Sequence, residues 1–434
     1  MRVFGTIWLG QLLSSVGSGL TNFALAIWVY KTTGSATQFG LVALFGTVPS
    51  ILLSPLTGVL ADRWERRRIM LLSNVGSAVP TLLIALLLFA GRLEVWHIYI
   101  FTSIRSGASS FMGPAFSAAI TMLVPKAHLG RASGMLQTSQ ATSQILSPLL
   151  AGVLMMVIQI QHLILIDFIT YFFSIGALLM VRVPEPVKSS HAAGAKKSII
   201  RDALYGWTYI RERPGLVGLL VYFATINFIV GLATVLLTPM VLSFAKPQAL
   251  GTILSVGGIG FLAGSLVMSI WGGPRFQVRG VFAFGALMGF CVTLAGLHAS
   301  VPLIAFALCG IYFSVPLING CNQAIWQTKT ALNVQGRVFA LRRMVAWLVT
   351  PLAYVIAGPL ADKVFQPAFN AGGSLSGSVG RFTGIGPGRG IGMMFIIAGL
   401  LTILVPIGAY LYPRVRLVEL ELPDVRTDEV LAEA

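Results

Sequence analysis

Stretches of about twenty or more mostly apolar residues follow one another almost from end to end of this chain, and each is long enough to cross a bilayer core as a helix. Twelve can be counted. The first six cover 4–30, 38–61, 69–91, 95–124, 131–158 and 163–183, and the second six cover 215–244, 250–271, 281–298, 301–327, 338–361 and 391–412. Hydrocarbon offers no partner to an unpaired backbone group, so such runs are read as helices that satisfy their own amides and carbonyls. The composition agrees: 56% of the 434 residues are hydrophobic and 10% are charged, against roughly 25% charged in an ordinary soluble domain. The expectation is an all-α membrane protein with twelve transmembrane helices in two pseudo-symmetric six-helix bundles. The first apolar run follows a single arginine and carries no small-residue cleavage site, so it reads as a first span rather than a removed leader.

A net charge of +16 raises the question of a nucleic-acid partner, because basic clusters attract polyanions. The distribution answers it. With both termini placed in the cytoplasm, twenty-three Lys and Arg fall in cytoplasmic segments, six in the opposite loops, and Arg105 inside a span. That asymmetry is the positive-inside signal of membrane topology, and no nucleic acid is needed to explain it.

A polar, basic connection at 184–214 divides the chain into an N-terminal bundle at 1–183 and a C-terminal bundle at 215–412, with a cytoplasmic tail at 413–434. Within the connection Ile200, Ala203, Leu204, Trp207 and Ile210 recur at helical spacing beside Arg201, Arg211 and Arg213. This is the pattern of an amphipathic helix, lying in the interface or packed as a linker. The halves resemble each other. Gly58, Arg131 and Gly152 return as Gly264, Arg337 and Gly358, each 206 positions later. Three matches at one offset point to an internal repeat of six helices.

At residues 58–68 the chain reads G-V-L-A-D-R-W-E-R-R-R, directly after the second span. This resembles the hallmark loop of the major facilitator superfamily. The wider stretch from W-L-G-Q-L-L-S-S-V-G-S-G-L through T-G-S-A to D-R-W-E-R-R-R-I-M is similar to the drug:proton antiporter branch, which contains macrolide efflux and siderophore exporters. G-P-A-F-S-A-A-I-T-M-L-V-P, L-I-L-I-D-F and G-W-T-Y-I-R-E-R-P-G-L extend the likeness through the first half. The resemblance implies a secondary transporter of small organic molecules, with Gly58, Asp62, Arg63, Arg66 and Arg67 forming a cytoplasmic gate. On spacing alone the same loop also reads as a topology anchor. Met268 stands where the second-half copy of the motif carries an aspartate, which implies an asymmetric gate.

Charges retained in hydrocarbon need a reason, since one costs at least about 2.5–3.5 kcal/mol near the bilayer centre. Arg105 lies ten residues into the fourth span, about 15 Å deep at 1.5 Å per residue. It reads as a cavity residue for substrate or protons, with pairing to backbone carbonyls as the alternative. Gln11, Ser15, Ser18 and Asn22 share one face of the first span, and Asn319, Asn322 and Gln323 lie beside Trp326 in the tenth. The superfamily arrangement implies that helices one, four, seven and ten surround the cavity, which adds Tyr222 and Thr225. The polar Gln137, Gln140 and Gln144 of the fifth span are read instead as interhelical hydrogen-bonding groups. Asp167 is the one carboxylate clearly inside the hydrocarbon, and so the one obvious proton carrier, with packing or capping as the competing role. Ser18 stands where relatives often carry an acid. In the fifth span, Ser147 to Gly152 resembles a worn antiporter motif.

Nothing points to a metal, a cofactor or catalysis. The five histidines and Cys291, Cys309 and Cys321 lack ligand spacing. G-I-G-P-G-R-G in the loop at 365–389 has neither the preceding strand nor the Gly-Lys-Ser/Thr of a phosphate loop, and reads as a flexible outer loop. The expected protein is an exporter of an amphipathic small molecule across a bacterial inner membrane, proton-coupled and acting as a monomer. A lysolipid flippase of the same fold is the alternative, ahead of a membrane enzyme or a non-transporting sensor.

Overall fold

The computed structural model describes residues 2–124, 129–180, 207–330, 334–370, 372–375, 377 and 380–422. Among the described residues thirteen helices supply twelve spans: α1 (Arg2–Thr33), α2 (Ala36–Arg63), α3 (Arg66–Phe89), α4 (Val95–Ser110), α5 (Met112–Leu123), α6 (Leu129–Val157), α7 (Ile160–Met180), α8 (Pro214–Leu242), α9 (Pro247–Trp271), α10 (Gln277–Leu297), α11 (Val301–Lys329), α12 (Gln335–Leu360) and α13 (Arg389–Leu411). Ten helices among the described residues are individually long and apolar enough to cross a membrane. The fourth span is made of two helices because Pro114 has no amide to offer the Ser110 carbonyl, and the chain turns at Phe111 before α5 continues.

The helices are inverted relative to those of a soluble protein. The buried face of α3 carries Ser73, Asn74, Ser77 and Thr81 among its apolar residues, whereas Leu72, Val75, Val79, Leu83 and Leu86 are exposed. A helix in water does the reverse; a helix whose outer face meets lipid has no penalty for exposed leucine and must pair its polar groups inside. The chain is an all-α, multi-pass membrane protein.

Packing divides it into two compact units. The first comprises residues 1–190 with 235–255 and 357–363, and the second comprises 191–234, 256–356 and 364–434. In the first, α1 packs on α6 and α7, α2 on α4, and α3 on α4 and α7. Phe4, Ile7, Met70, Ala115, Phe116 and Leu178 form one buried apolar cluster there, and Leu25, Val29, Ile84, Ile98 and Ile164 another. In the second, α10 is sandwiched by α11 and α13. A Cβ on Gly264 of α9 would collide with the Phe313 carbonyl of α11, the close approach that a small residue permits.

Two of the repeat positions mark corresponding crossings inside the first unit. Gly152 of α6 lies against the backbone of Gln248 and Gly251 at the start of α9, and Gly358 of α12 lies against Ala36 and Thr37 at the start of α2. Beside the first crossing, Ser255 Oγ donates to the Ile145 carbonyl at 2.7 Å. Beside the second, the Asp362 carboxylate accepts from Ser35 Oγ (2.8 Å), the Ala36 and Thr37 amides (3.1 and 2.9 Å) and Thr37 Oγ1 (2.7 Å). A carboxylate on the first amides of α2 satisfies donors that the helix cannot satisfy itself and sits at the favourable end of its dipole.

Helix ends elsewhere are closed in the same manner. Arg67 donates to the Leu178 and Leu179 carbonyls at the end of α7, both at 2.8 Å. Arg389 donates to the Gly296 and Leu297 carbonyls that end α10, at 2.9 and 2.8 Å. At the other end of α10, Glu419 accepts from the Gln277 and Val278 amides at 3.1 and 2.8 Å. Lys329 Nζ, at the end of α11, donates to the Glu419 and Leu422 carbonyls, each at 2.6 Å. The described part of the loop read as flexible is also tied down: Gln366 Nε2 donates to the Gly386 carbonyl and its Oε1 accepts from the Gly388 amide.

Asp362→Ala is expected to lower stability by about 1–2 kcal/mol, because it strips the α2 terminus of its acceptor. Asp362→Asn retains one acceptor oxygen and should cost less. Thermal unfolding of the purified variants in detergent checks the order; equal, negligible losses would remove the cap from this description.

Candidate functional site

In the first unit, polar side chains from four helices converge. Arg105 of α4 and Asp167 of α7 are buried, with Arg105 Nη2 3.7 Å from Asp167 Oδ2. Ser18 of α1 donates to Asp167 Oδ1 at 3.3 Å and shares a 2.9 Å hydrogen bond with the Tyr171 hydroxyl. One turn further along α7, the Ser174 hydroxyl accepts from Gln11 of α1 at 2.8 Å and from Asn74 of α3 at 2.9 Å. The ion pair is incompletely solvated by protein: Arg105 Nη1 and Asp167 Oδ2 have no hydrogen-bond partner. Two opposite charges at this depth depend on each other, since removing either leaves a buried charge uncompensated.

The arrangement sorts the residues singled out from the sequence. Arg105 meets a carboxylate, and that carboxylate is Asp167. The α1 stripe divides: Gln11 and Ser18 are engaged with α7, whereas Ser15 and Asn22 are exposed. Ser18 hydrogen-bonds an acid supplied by α7. Ser174 and Asn74 join the network without having been singled out, because single hydroxyls and amides in apolar helices are too common to stand out.

Within the second unit, α8, α11 and α12 enclose a cavity of about 410 Å³. Asn319 and Asn322 line it together with Asn227, Trp326, Arg342 and Tyr354. Gln323 lies behind this wall and accepts from Arg342 Nη2 at 2.7 Å. The Arg342 guanidinium stands 5.4 Å from the Trp326 ring centroid, a cation–π geometry. Tyr222 and Thr225 belong elsewhere. They border a more open recess against α13, where the Tyr222 ring packs on Phe223 and Phe282. The polar residues of α8 that line the cavity are Asn227 and Thr234, and Arg342 was missed because it sits close enough to the start of the eleventh span to be counted as a boundary positive charge.

In the proposed gate, Arg67 is occupied by the α7 carbonyls, and Glu65 pairs with Arg68 at 2.5 Å. The surroundings of Gly58 and the side chains of Asp62 and Arg63 lie outside the described residues, as do 184–206 of the linker. Among the described residues no group of three or more His, Cys, Asp or Glu could hold a metal ion.

Arg105→Ala is expected to destabilise the fold by about 3 kcal/mol or more, and adding Asp167→Ala should recover a large part of that loss. A thermal double-mutant cycle reads this directly; simple additivity would mean that the two charges do not sense each other.

Comparison with known proteins gives a consistent answer. The model of the Major Facilitator Superfamily matches residues 7–354. Macrolide efflux protein A of Streptococcus pyogenes is 28% identical over 367 residues, covering 83% of this chain and 90% of that protein. Multidrug efflux pump Tap of Mycolicibacterium fortuitum is 24% identical over 362 residues, covering 81% and 87%. Among solved structures, the nucleoside transporter NupG superposes with a TM-score of 0.69 at 11% identity, covering 94% of this chain and 98% of that one.

Proposed function

The chain belongs to the Major Facilitator Superfamily and is a membrane transporter, and from that premise we propose that it exports a small amphipathic organic molecule by alternating access, driven by proton entry. Efflux is the direction supported by the relatives, whose names are macrolide and multidrug efflux proteins. In this reading the chain acts as a monomer in a bacterial plasma membrane with both termini cytoplasmic. The six-helix halves 1–183 and 215–412 are the bodies that alternate, joined through 184–214. The loop of Gly58, Asp62, Arg63, Arg66 and Arg67 closes the cytoplasmic side.

The observation that carries proton coupling is the buried Arg105–Asp167 pair, 3.7 Å apart and fully withdrawn from solvent on the Asp167 side. With Asp167 ionised, each charge holds the other in place. When Asp167 takes a proton, Arg105 is left uncompensated in that packing, at a cost of about 3–5 kcal/mol. A conformation in which the guanidinium reaches water or substrate is then favoured by a comparable amount. Swinging a two-state equilibrium from 1:99 to 99:1 needs about 5.5 kcal/mol, so one proton on one carboxylate supplies most of the bias required. Ser18, itself hydrogen-bonded to the Tyr171 hydroxyl, holds the carboxylate in position through this cycle. The cavity lined by Asn319, Asn322 and Arg342 supplies a substrate-facing wall.

The test is accumulation of a compound panel, spanning macrolides, siderophores and lipophilic cations, in cells that overexpress the chain, with and without a protonophore. Reduced accumulation of one class that the protonophore abolishes is the expected result. Asp167→Asn should keep the protein in the membrane yet remove the dependence of efflux on the pH gradient. Efflux by Asp167→Asn that still follows the gradient would overturn the coupling role.

A further inference from the structure

Between the first half of α8 and the end of α13 lies an open recess of about 600 Å³ in the second unit. Its walls are apolar, with Val217 and Val221 on one side and Val405 and Ala409 on the other, and Val221 is exposed. Two glycines shape it differently. A Cβ on Gly218 would strike Val415, so that glycine admits a neighbour, whereas a Cβ on Gly408 would meet nothing within 4 Å. The hollow beside Gly408 is left open by the protein itself. On the outside of two membrane-spanning helices such a hollow is filled by hydrocarbon, because an empty one loses the dispersion contacts of its lining.

The mouth differs from the walls. α8 begins at Pro214 and α13 ends at Leu411, so Arg211 and Tyr412, which also line the recess, stand at the ends of the spans, the level of lipid headgroups. Arg211 is exposed, and among the described residues nothing hydrogen-bonds or pairs with it. Two basic neighbours are occupied: Arg213 lies over the Tyr209 ring and pairs with Glu212 at 3.7 Å, and Arg414 pairs with Glu421 at 3.3 Å. Trp207, one turn before Arg211, is exposed as well, and an amphipathic aromatic suits the headgroup region. An apolar slot that ends at an unpaired guanidinium has the two-part chemistry that receives a lipid with an acidic headgroup.

We propose that this recess binds one anionic phospholipid, with an acyl chain lying along Gly408 between α8 and α13 and the phosphate held by Arg211. The recess shares no lining residue with the cavity of Asn319 and Asn322, and the assignment does not depend on what the chain exports. A zwitterionic lipid fits the slot equally well but brings its own cation to the same arginine, which weakens the attraction. Arg211 therefore ranks lipids by headgroup, and the hollow at Gly408 demands that the occupant carry a chain.

Two photoreactive probes test this, sharing one diazirine-bearing acyl chain and differing in headgroup, phosphatidylglycerol in one and phosphatidylcholine in the other. Each is added at the same mole fraction to phosphatidylcholine nanodiscs holding the purified full chain, and cross-linked peptides are mapped by mass spectrometry, with the exposed Leu262 and Leu266 of α9 as the reference lipid-facing surface. Relative to that reference, labelling of 217–225 and 405–412 is expected to favour the phosphatidylglycerol probe by about fivefold or more. Arg211→Gln should bring the ratio toward one, and Arg211→Lys should keep it. Gly408→Leu adds a side chain where the protein has no atom to strike, and should reduce labelling by both probes there while leaving α9 unchanged. Equal labelling by the two probes in the unaltered chain overturns the proposal, as does a ratio that Arg211→Gln leaves in place or labelling that Gly408→Leu does not reduce. Loss of the preference on adding sn-glycerol 3-phosphate at constant ionic strength would make this a site for soluble phosphates, and displacement of both probes by an exported compound would make it a substrate portal; either result sinks the lipid assignment. The three variants should melt near the unaltered chain, and a lower melting temperature of Arg211→Gln with an unmoved ratio would assign Arg211 to folding instead.

Discussion

Hydrocarbon cannot hydrogen-bond, and almost every polar contact in this protein answers that constraint. The buried face of α3 is polar while its exposed face is leucine and valine. Helix ends, where carbonyls and amides run out of partners, are met by side chains from elsewhere in the chain: Arg67 on α7, Arg389 and Glu419 on α10, Asp362 on α2. The Arg105–Asp167 pair is the same rule applied to whole charges. Either buried alone would be an uncompensated charge; together they are tolerated.

The duplicated architecture has been used unequally. Gly152 and Gly358 keep equivalent jobs, each letting its helix cross the start of another at backbone distance. The second crossing then gains Asp362, four residues beyond Gly358, whereas the residue 206 positions before Asp362 is Met156. One crossing is held chiefly by close backbone packing, the other by packing and a carboxylate with four donors.

Helix number and helix limits were legible because they follow from length and hydropathy alone. The partner of Arg105 was not, since which helix stands beside α4 is a tertiary fact that no spacing encodes; Asp167 was noticed for its burial and left without a counterpart. The α1 stripe shows the same boundary. Spacing put Gln11 and Ser18 on one face correctly, and the structure adds that the face meets Ser174 and Asp167 of α7. On α8, Tyr222 and Thr225 border one recess and Asn227 and Thr234 line another, a division that polar residues scattered in an apolar run do not define. Arg342 was hidden by the charge rule itself, since an arginine near a span end is ordinarily a topology signal.

The framing of α10 carries one more consequence. Its C-terminal carbonyls receive the cation of Arg389 and its N-terminal amides the anion of Glu419, the two polarities that its dipole favours. One clamp is the first residue of α13 and the other follows that helix, which also packs along the side of α10. A helix pinned at each end and along its length has little freedom to shift within its own unit. A spin label or fluorophore placed on α10 would therefore serve as the stationary landmark from which the displacement of other helices is measured.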